Sequence, residues 1–561
     1  MLPCFSRLSG RLPAAMAAML VTLVATDGSA QAATQAYRTE TPDQWFRDGA
    51  MAARDARGKS AGSARNIILF VGDGMSMTTI AAARILEGQR QGAHGEEHRL
   101  AFEEFPYTAF SRTYGVDAQT PESAGTMSAM MTGIKTRFGL LSVNQRARRG
   151  DCASGIGNES VTALELASAA GLGTGIVTTT SLTHATPAAG YAHSSERDWE
   201  FDSAMPAEAR EAGCVDIARQ FADYALGGGI DVAFGGGRRG FLPNTKADPE
   251  YPSSRGMRAD GRDLIADWLQ QPNTAFVWNA AQFDSIVPSP EARVLGLFEP
   301  NHLRYEHDRG NDASGEPGLA DMTRTAIRLL QSRPKGYFLV VEGGRIDHAH
   351  HRGNAFRALS ETIAFSDAVR AAVSLTDADD TLIIVTADHG HTLTMAGYPL
   401  RGNPILGKVR GHNDKGESAT ATSQDGAGRS YTTLNYANGP GHVAQSSDQA
   451  SGLKQFPHEP ARFESSVSQR PDLDEVDTSA ADFLQEAGIP MANETHSGED
   501  VAVYALGPGA EGVHGSIEQN VVFHLMVQAS PAMRSLLCDI NTCKMPGVPD
   551  QLPDLDELRD H

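Results

Sequence analysis

Four times this chain runs a short apolar, β-branched stretch directly into acids and histidines, and that recurrence constrains its fold more than any other feature. Asn66-Ile67-Ile68-Leu69-Phe70-Val71 meets Gly72-Asp73-Gly74, and Thr174 to Thr180 meets Ser181-Leu182-Thr183-His184-Ala185-Thr186. Gly336-Tyr337-Phe338-Leu339-Val340 leads through Val341 to Glu342, and Thr381-Leu382-Ile383-Ile384-Val385 leads to Thr386-Ala387-Asp388-His389-Gly390-His391. A fifth apolar run, Val501 to Leu506, follows Glu494-Thr495-His496. Fully apolar runs of this length read as buried strands. Helical patterns, such as the one running to Leu86, separate them. Strands that alternate with helices in this way form a large, mostly parallel sheet sandwiched by helices, an α/β fold. In such sheets ligands bind beyond the carboxyl ends of the strands, where these acids and histidines collect.

The densest of these junctions is Val341-Glu342-Gly343-Gly344-Arg345-Ile346-Asp347-His348-Ala349-His350-His351. A strand delivers Glu342, two glycines turn the chain, and a helix begins near Asp347. Asp347 and His351 stand four residues apart, so on a helix they share a face and can grip one ion. Carboxylate with imidazole suits Zn²⁺, whereas Glu342 with other oxygens suits Mg²⁺. Thr120-Pro121-Glu122-Ser123-Ala124-Gly125-Thr126 places a serine at the start of a small-residue helix, whose free N–H groups are a seat for phosphate. Its surroundings are not Gly-x-Ser-x-Gly, which disfavours a serine–histidine elbow. A plain helix cap is the alternative reading of Ser123, and a metal can activate the hydroxyl in place of a base.

The chain has 561 residues, 40% hydrophobic and 21% charged, with a formal net charge of −21. That is ordinary globular composition without the basic footprint of a nucleic-acid binder. Residues 1–32 look like a secretory signal: Arg7 and Arg11, an apolar Leu12 to Val24, then Ala30-Gln31-Ala32. No later run is long and apolar enough to span a bilayer. Beyond that leader stand Cys152, Cys214, Cys538 and Cys543, an even set that in an exported chain predicts disulfides Cys152–Cys214 and Cys538–Cys543. Residues 33–60 read as an amino-terminal helical arm suited to a partner subunit. Residues 61–391 read as the core, 392–495 as a Gly-, Ser- and Asn-rich insertion, and 496–561 as the end of the core. Within the insertion, 411–430 has the composition of a linker.

Taken together, Asn66 to Gly74, Ser123 with its flanks, Val341 to His351, Thr386 to His389 and Glu494 to His496 resemble the signature segments of alkaline phosphatases, in that family's order. Leu295-Gly296-Leu297-Phe298-Glu299-Pro300 and Tyr436-Ala437-Asn438-Gly439-Pro440-Gly441 are similar to the animal-type branch. The resemblance implies two zinc ions and one magnesium. One zinc would sit on Asp347, His351 and His496, the second on Asp73, Asp388, His389 and the Ser123 oxygen. Magnesium would sit on Asp73, Thr186 and Glu342 with His184 nearby. Arg197 matches the family's phosphate clamp; read without the resemblance, it is a surface ion pair with Glu196 or Asp198. Glu250, the Phe298 carbonyl, Glu299 and Glu316 match a calcium site, and oxygen-only ligands suit that cation. The resemblance further implies a homodimer, a crown-type insertion at 392–495, and periplasmic or extracellular residence.

Two departures stand out. Glu122 precedes the nucleophile where the family has aspartate, and Glu316 also replaces an aspartate. The expected activity is hydrolysis of phosphate monoesters through a phosphoserine at Ser123. The rivals are a phosphodiesterase or sulfatase on the same core, and a non-catalytic binding protein.

Overall fold

Ten strands build the central sheet: β1 (Asn66–Gly72), β2 (Tyr107–Arg112), β3 (Gly173–Ser181), β4 (Val232–Gly236), β5 (Thr274–Val277), β6 (Arg293–Leu297), β7 (Tyr337–Gly343), β8 (Thr381–Ala387), β9 (Val501–Leu506) and β10 (Gly515–Glu518). Their spatial order is β10-β2-β9-β8-β1-β7-β3-β4-β6-β5. The computed structural model describes residues 40–58, 63–465, 469–549 and 551–560. The expected leader, 1–32, lies outside the described residues, as do parts of the expected arm.

Period-two geometry sorts the apolar runs into two cores. Ile67, Leu69, Val71 and Val340 face one side with Met127 and Met130. Ile68, Phe70, Leu339 and Val341 face the other with Ile327 and Phe365. Each such side chain, fully buried, contributes roughly 1.5–3 kcal/mol. Two cores on one sheet need helices on both faces, which is why the strands read as continuous apolar stretches and not as alternating ones.

β1 lies in parallel between β7 and β8, with Gly72 opposite both Gly343 and Ala387. The segments after these strands, carrying Asp73 and Asp388, and the strand-end Glu342 therefore emerge side by side. β9 departs from the pattern, running antiparallel to both β8 and β2. An antiparallel strand begins at the edge where its parallel neighbours end. That is why His496, which precedes β9, reaches the same edge as residues that follow β1 and β8.

The helix Pro42–Arg57 is capped by the Thr41 side chain, which accepts from the Gln44 N–H. Its buried Trp45, Phe46, Ala50 and Ala53 pack within the chain, Phe46 meeting Phe523 at 5.6 Å between ring centres. The described part of the expected amino-terminal arm is thus helical, and its apolar side chains pack against the same chain. The 392–495 segment contains a three-stranded sheet of Leu393–Met395, Leu434–Gly439 and Ala487–Pro490. Its turn-rich stretch is pinned by bridges His412↔Ser418 and Gln424↔Ser430. Both expected disulfides form, with Cα–Cα separations of 5.9 Å for Cys152–Cys214 and 5.3 Å for Cys538–Cys543. Among the described residues no single helix is long and apolar enough to cross a membrane.

Candidate metal centre and nucleophile

Asp73 sits in the turn after β1, and Gly74 beside it has φ of 68°. A Cβ at Gly74 would come within 2.4 Å of the His391 ring, so both backbone and space require glycine there. The Gly74 N–H donates to Asp388 Oδ1 at 3.0 Å, tying the β1 and β8 turns together.

Three groups of ligand-type side chains meet at this edge. In the first, Asp347 Oδ1 lies 3.3 Å from His351 Nε2, 3.2 Å from His496 Nε2 and 2.8 Å from His391 Nε2. The outer nitrogens settle the orientation of two rings. His351 Nδ1 is 2.6 Å from the Glu494 carbonyl and His496 Nδ1 is 2.9 Å from the Pro121 carbonyl. A carbonyl only accepts, so each Nδ1 carries a proton, which leaves Nε2 as the nitrogen that can turn a lone pair inward, as metal ligation needs. Burial works to raise the Asp347 carboxyl, but His351, His391 and His496 outweigh it and hold it well below the usual range.

In the second group, Ser123 Oγ lies 3.1 Å from His389 Nε2 and 3.5 Å from Asp73 Oδ1. Asp388 Oδ2 is 3.2 Å from the same His389 nitrogen and accepts from Thr126 Oγ1 at 3.3 Å. In the third, Asp73, His184 and Glu342 bring donor atoms within 4.8 Å of one another, with Thr186 buried in the short helix Ala185–Ala188 after β3. Thr178 and Thr180 donate to one oxygen of Glu342, the latter at 3.0 Å. Burial, and then Arg197, hold His184 neutral down to about pH 3.

The donor set fits cations. Asp73, Glu342, Asp347 and Asp388 are all buried. Asp73 Oδ2 and His184 Nδ1 are buried with no hydrogen-bond partner among the described residues. Burial, and then the charges of Asp388, Asp347 and Glu342, push the Asp73 carboxyl well above its usual range. Packed anions of this kind stay ionised only if positive charge joins them.

The helix Ser123–Thr132 differs from expectation at its start. Glu122 caps it, accepting the Ala124 N–H at 2.9 Å and the Gly125 N–H at 2.7 Å. Those N–H groups are therefore not a phosphate seat; the carboxylate already fills it. Glu122 also accepts the Gly139 N–H at 2.8 Å and Arg197 Nη1 at 2.6 Å. Burial opposes its ionisation, but Arg197 and the three N–H groups prevail and lower its pKa. Arg197 thus pairs with Glu122 rather than with Glu196 or Asp198, and its Nη2 is 3.0 Å from His184 Nε2.

Away from this edge, Glu250, Glu299 and Asp312 bring carboxylate oxygens within 4.8 Å of one another. Glu316 lies against them and Phe298 is buried at the end of β6. Burial and Glu299 push Glu316 up to about 8. Asp312 was not expected; nothing in its Asn311-Asp312-Ala313 context sets it apart from a surface acid.

Two further residues escaped the sequence reading. His391 is gripped between Asp347 and Glu494, with Nδ1 2.5 Å from Glu494 Oε2. Burial opposes its protonation, but Glu494 and Asp347 raise it to about 10. The pairing that brings it in is a two-residue antiparallel ladder, His391↔His496 and Gly390↔Ser497. A ladder so short leaves no periodic signal.

A sequence model of the alkaline phosphatase family matches residues 64–532. The chain belongs to the alkaline phosphatase family. It is 40% identical over 525 residues to the tissue-nonspecific isozyme of Gallus gallus, covering 92% of this chain and 94% of that one. Among solved structures, the alkaline phosphatase of Thermus thermophilus superposes with a TM-score of 0.59 at 23% identity, covering 91% of this chain and 97% of that one. A variant of the alkaline phosphatase from the Antarctic bacterium TAB5, with magnesium in its M3 site, gives 0.52 at 20% identity over 84% of this chain and 99% of its own. These two likenesses concern the fold, whose α/β class and mostly parallel sheet match the expectation.

Proposed function

We propose that this alkaline phosphatase-family enzyme hydrolyses phosphate monoesters to an alcohol and inorganic phosphate, with Ser123 as nucleophile. One observation carries the reading. A single hydroxyl, Ser123 Oγ, opens a buried helix and touches both Asp73 and His389.

Asp347, His351 and His496 would hold one zinc ion. Asp73, Asp388, His389 and the Ser123 oxygen would hold another. Asp73, Thr186 and Glu342, with His184 nearby, would hold magnesium. The mixed nitrogen–oxygen sets suit zinc and the carboxylate–hydroxyl set suits magnesium. When bound, the ions supply positive charge that acidifies the serine hydroxyl and stabilises the oxygens of the transferred phosphoryl group. Glu250, Phe298, Glu299 and Glu316, joined by Asp312, would hold calcium as a structural ion.

The chain's own residues do the rest. Ser123 Oγ forms a bond to phosphorus as the bond to the ester oxygen breaks, leaving a phosphoserine that water then cleaves. Glu122 fixes both ends of this step, capping the helix that carries Ser123 and orienting Arg197. With Nη1 held, the planar guanidinium presents its remaining donors to phosphoryl oxygens, a geometry lysine lacks. Recognition concentrated on the phosphoryl group supports loose choice of alcohol. The disulfides support residence in an oxidising compartment, periplasmic or extracellular. A homodimer is part of the same proposal.

The test is phosphate release from an aryl monoester and from the matching diester, after chelation and again after re-addition of Zn²⁺ and Mg²⁺. Monoester turnover lost on chelation and recovered with metal is expected. A better diester rate, or none with either ester under full metal, overturns the reading.

A further inference from the structure

Arg197 is flanked in sequence by two acids, Glu196 and Asp198, yet binds neither closely; its Nε is 4.0 Å from Asp198 Oδ1. Another arginine takes them. Arg149 Nε and Nη2 each lie 2.8 Å from an oxygen of Glu196, a two-point grip, and Nη2 lies 3.5 Å from Asp198 Oδ2. The Glu196 side chain is 16% exposed and that of Asp198 is 75% exposed, so Glu196 is the less screened charge.

The same arginine is tied to the backbone that joins Arg197 to Glu122. Gly139 donates its N–H to Glu122 at 2.8 Å and accepts the Arg197 N–H at 3.1 Å. Arg149 packs directly on it: a Cβ at Gly139 would fall 2.4 Å from Arg149 Nε. The guanidinium lies 5.3 Å from the ring centre of Phe138, and the next residue, Gly150, donates its N–H to the Ser195 carbonyl at 2.8 Å. Ser194 Oγ donates to the Glu196 carbonyl at 2.8 Å. Arg149 thus meets the Arg197 loop through side chain and backbone together.

We propose that Arg149 is a positioning residue that neutralises Glu196, so that Arg197 stays paired with Glu122 and free to receive a dianionic phosphoryl group. Without it, Glu196 stands unneutralised next to Arg197, competes with Glu122 for the guanidinium, and repels incoming phosphate. The inference rests on the reading that Arg197 binds the phosphoryl group, and it adds what sets the strength of that binding. The charge on Arg149 itself is secure, because its hydrogen bonds to Glu196 raise its pKa.

The experiment measures, on the metal-loaded enzyme, KM and kcat for an aryl phosphate and the inhibition constant of inorganic phosphate. R149A should raise KM and the inhibition constant together, about five- to tenfold, with kcat within about twofold, the signature of lost uniform binding. R149K, which keeps charge but not the two-point grip, should fall between. The double variant R149A/E196Q should return both constants to within about twofold of the parent, because the charge to be neutralised is gone. A purely structural role predicts no such rescue. In about 1 M salt the R149A effect should shrink. Constants unmoved in R149A, or a double variant no better than R149A, overturn the inference. Should R149A fail to fold, R149K against R149K/E196Q poses the same question. R197A separates the levels: unchanged phosphate inhibition there defeats the reading of Arg197, whereas an effect there with none at Arg149 defeats only this inference.

Discussion

Two regions of this molecule gather buried carboxylates, and they differ in what surrounds the acids. At the sheet edge, Asp73, Glu342, Asp347 and Asp388 are interleaved with His351, His389 and His496, and Asp73 and His389 touch the Ser123 hydroxyl. Near β6, Glu250, Glu299, Asp312 and Glu316 have only oxygen donors, braced by arginines: Arg238 at 2.8 Å from Glu250 and Arg304 at 3.1 Å from Glu299. The first region mixes ligand types around a serine hydroxyl, which is what the proposed chemistry needs. The second has carboxylate oxygens alone, a set that suits a hard cation in the proposed reading. Charge density alone therefore does not mark an active site; neighbours do.

The sharpest way to break that distinction is to remove one oxygen from each region. S123A should lower kcat by about 10³-fold or more while retaining phosphate binding. E316Q should leave kcat within about twofold. Comparable losses in steady-state assays of the two variants would erase the difference drawn here.

The next effect concerns metal affinity. His391 Nε2 lies 2.8 Å from the same Asp347 oxygen that faces His351 and His496, and loss of a partner that orients a metal ligand typically weakens binding about 10–100-fold. H391N should do this for zinc, read by competition against a chelating dye, and E316Q should not. Equal zinc affinity in H391N and the parent would make His391 a packing residue only.

These variants also show what the sequence discloses. Strands β1, β3, β7 and β8 were legible because burial on both faces leaves continuous apolar runs. The helical pairing of Asp347 with His351 was legible because four residues make about one turn. β9 was found, but its antiparallel sense was not, since direction leaves no mark on an apolar run. The grip of His391 and Glu494 depends on that direction. Glu122 was visible as a departure, yet of its three N–H partners only Ala124 and Gly125 follow it in the helix, and Gly139 is 17 residues away. Arg149 lies further still from Glu196, 47 residues. Local patterns disclose elements; contacts closed by loops stay hidden.

A smaller effect sharpens the second region. If its acids seat a cation, Ca²⁺ should raise the melting temperature of the parent by a few degrees, through binding to the folded state alone. E316Q should lose most of that rise with turnover intact. A full Ca²⁺ response in E316Q would remove Glu316 from the site and leave Asp312 in its place.

The smallest effect tests whether an imidazole beside a carboxylate is by itself a sign of a metal. The His193 side chain is 7% exposed, with Nε2 2.9 Å from Glu165 Oε1 and Nδ1 2.8 Å from the Ser142 carbonyl. Each nitrogen faces a single acceptor, whereas the Nε2 atoms of His351 and His496 converge with Asp347 on one point. Burial opposes its protonation, but Glu165 and the Ser142 carbonyl raise its pKa above 6.5. A histidine raised in the folded state stabilises fully below the unfolded value and loses that stabilisation as pH climbs through the folded one. H193Q should therefore cost more at pH 6 than at pH 9. The gap between its melting temperature and the parent's should narrow by about one degree over that window. Zinc should not alter the gap. A gap that widened with pH, or that closed when zinc was added, would mean that His193 behaves like the ligands at the sheet edge. Convergence of several ligand atoms on one point would then not be what separates a structural imidazole from a metal-binding one.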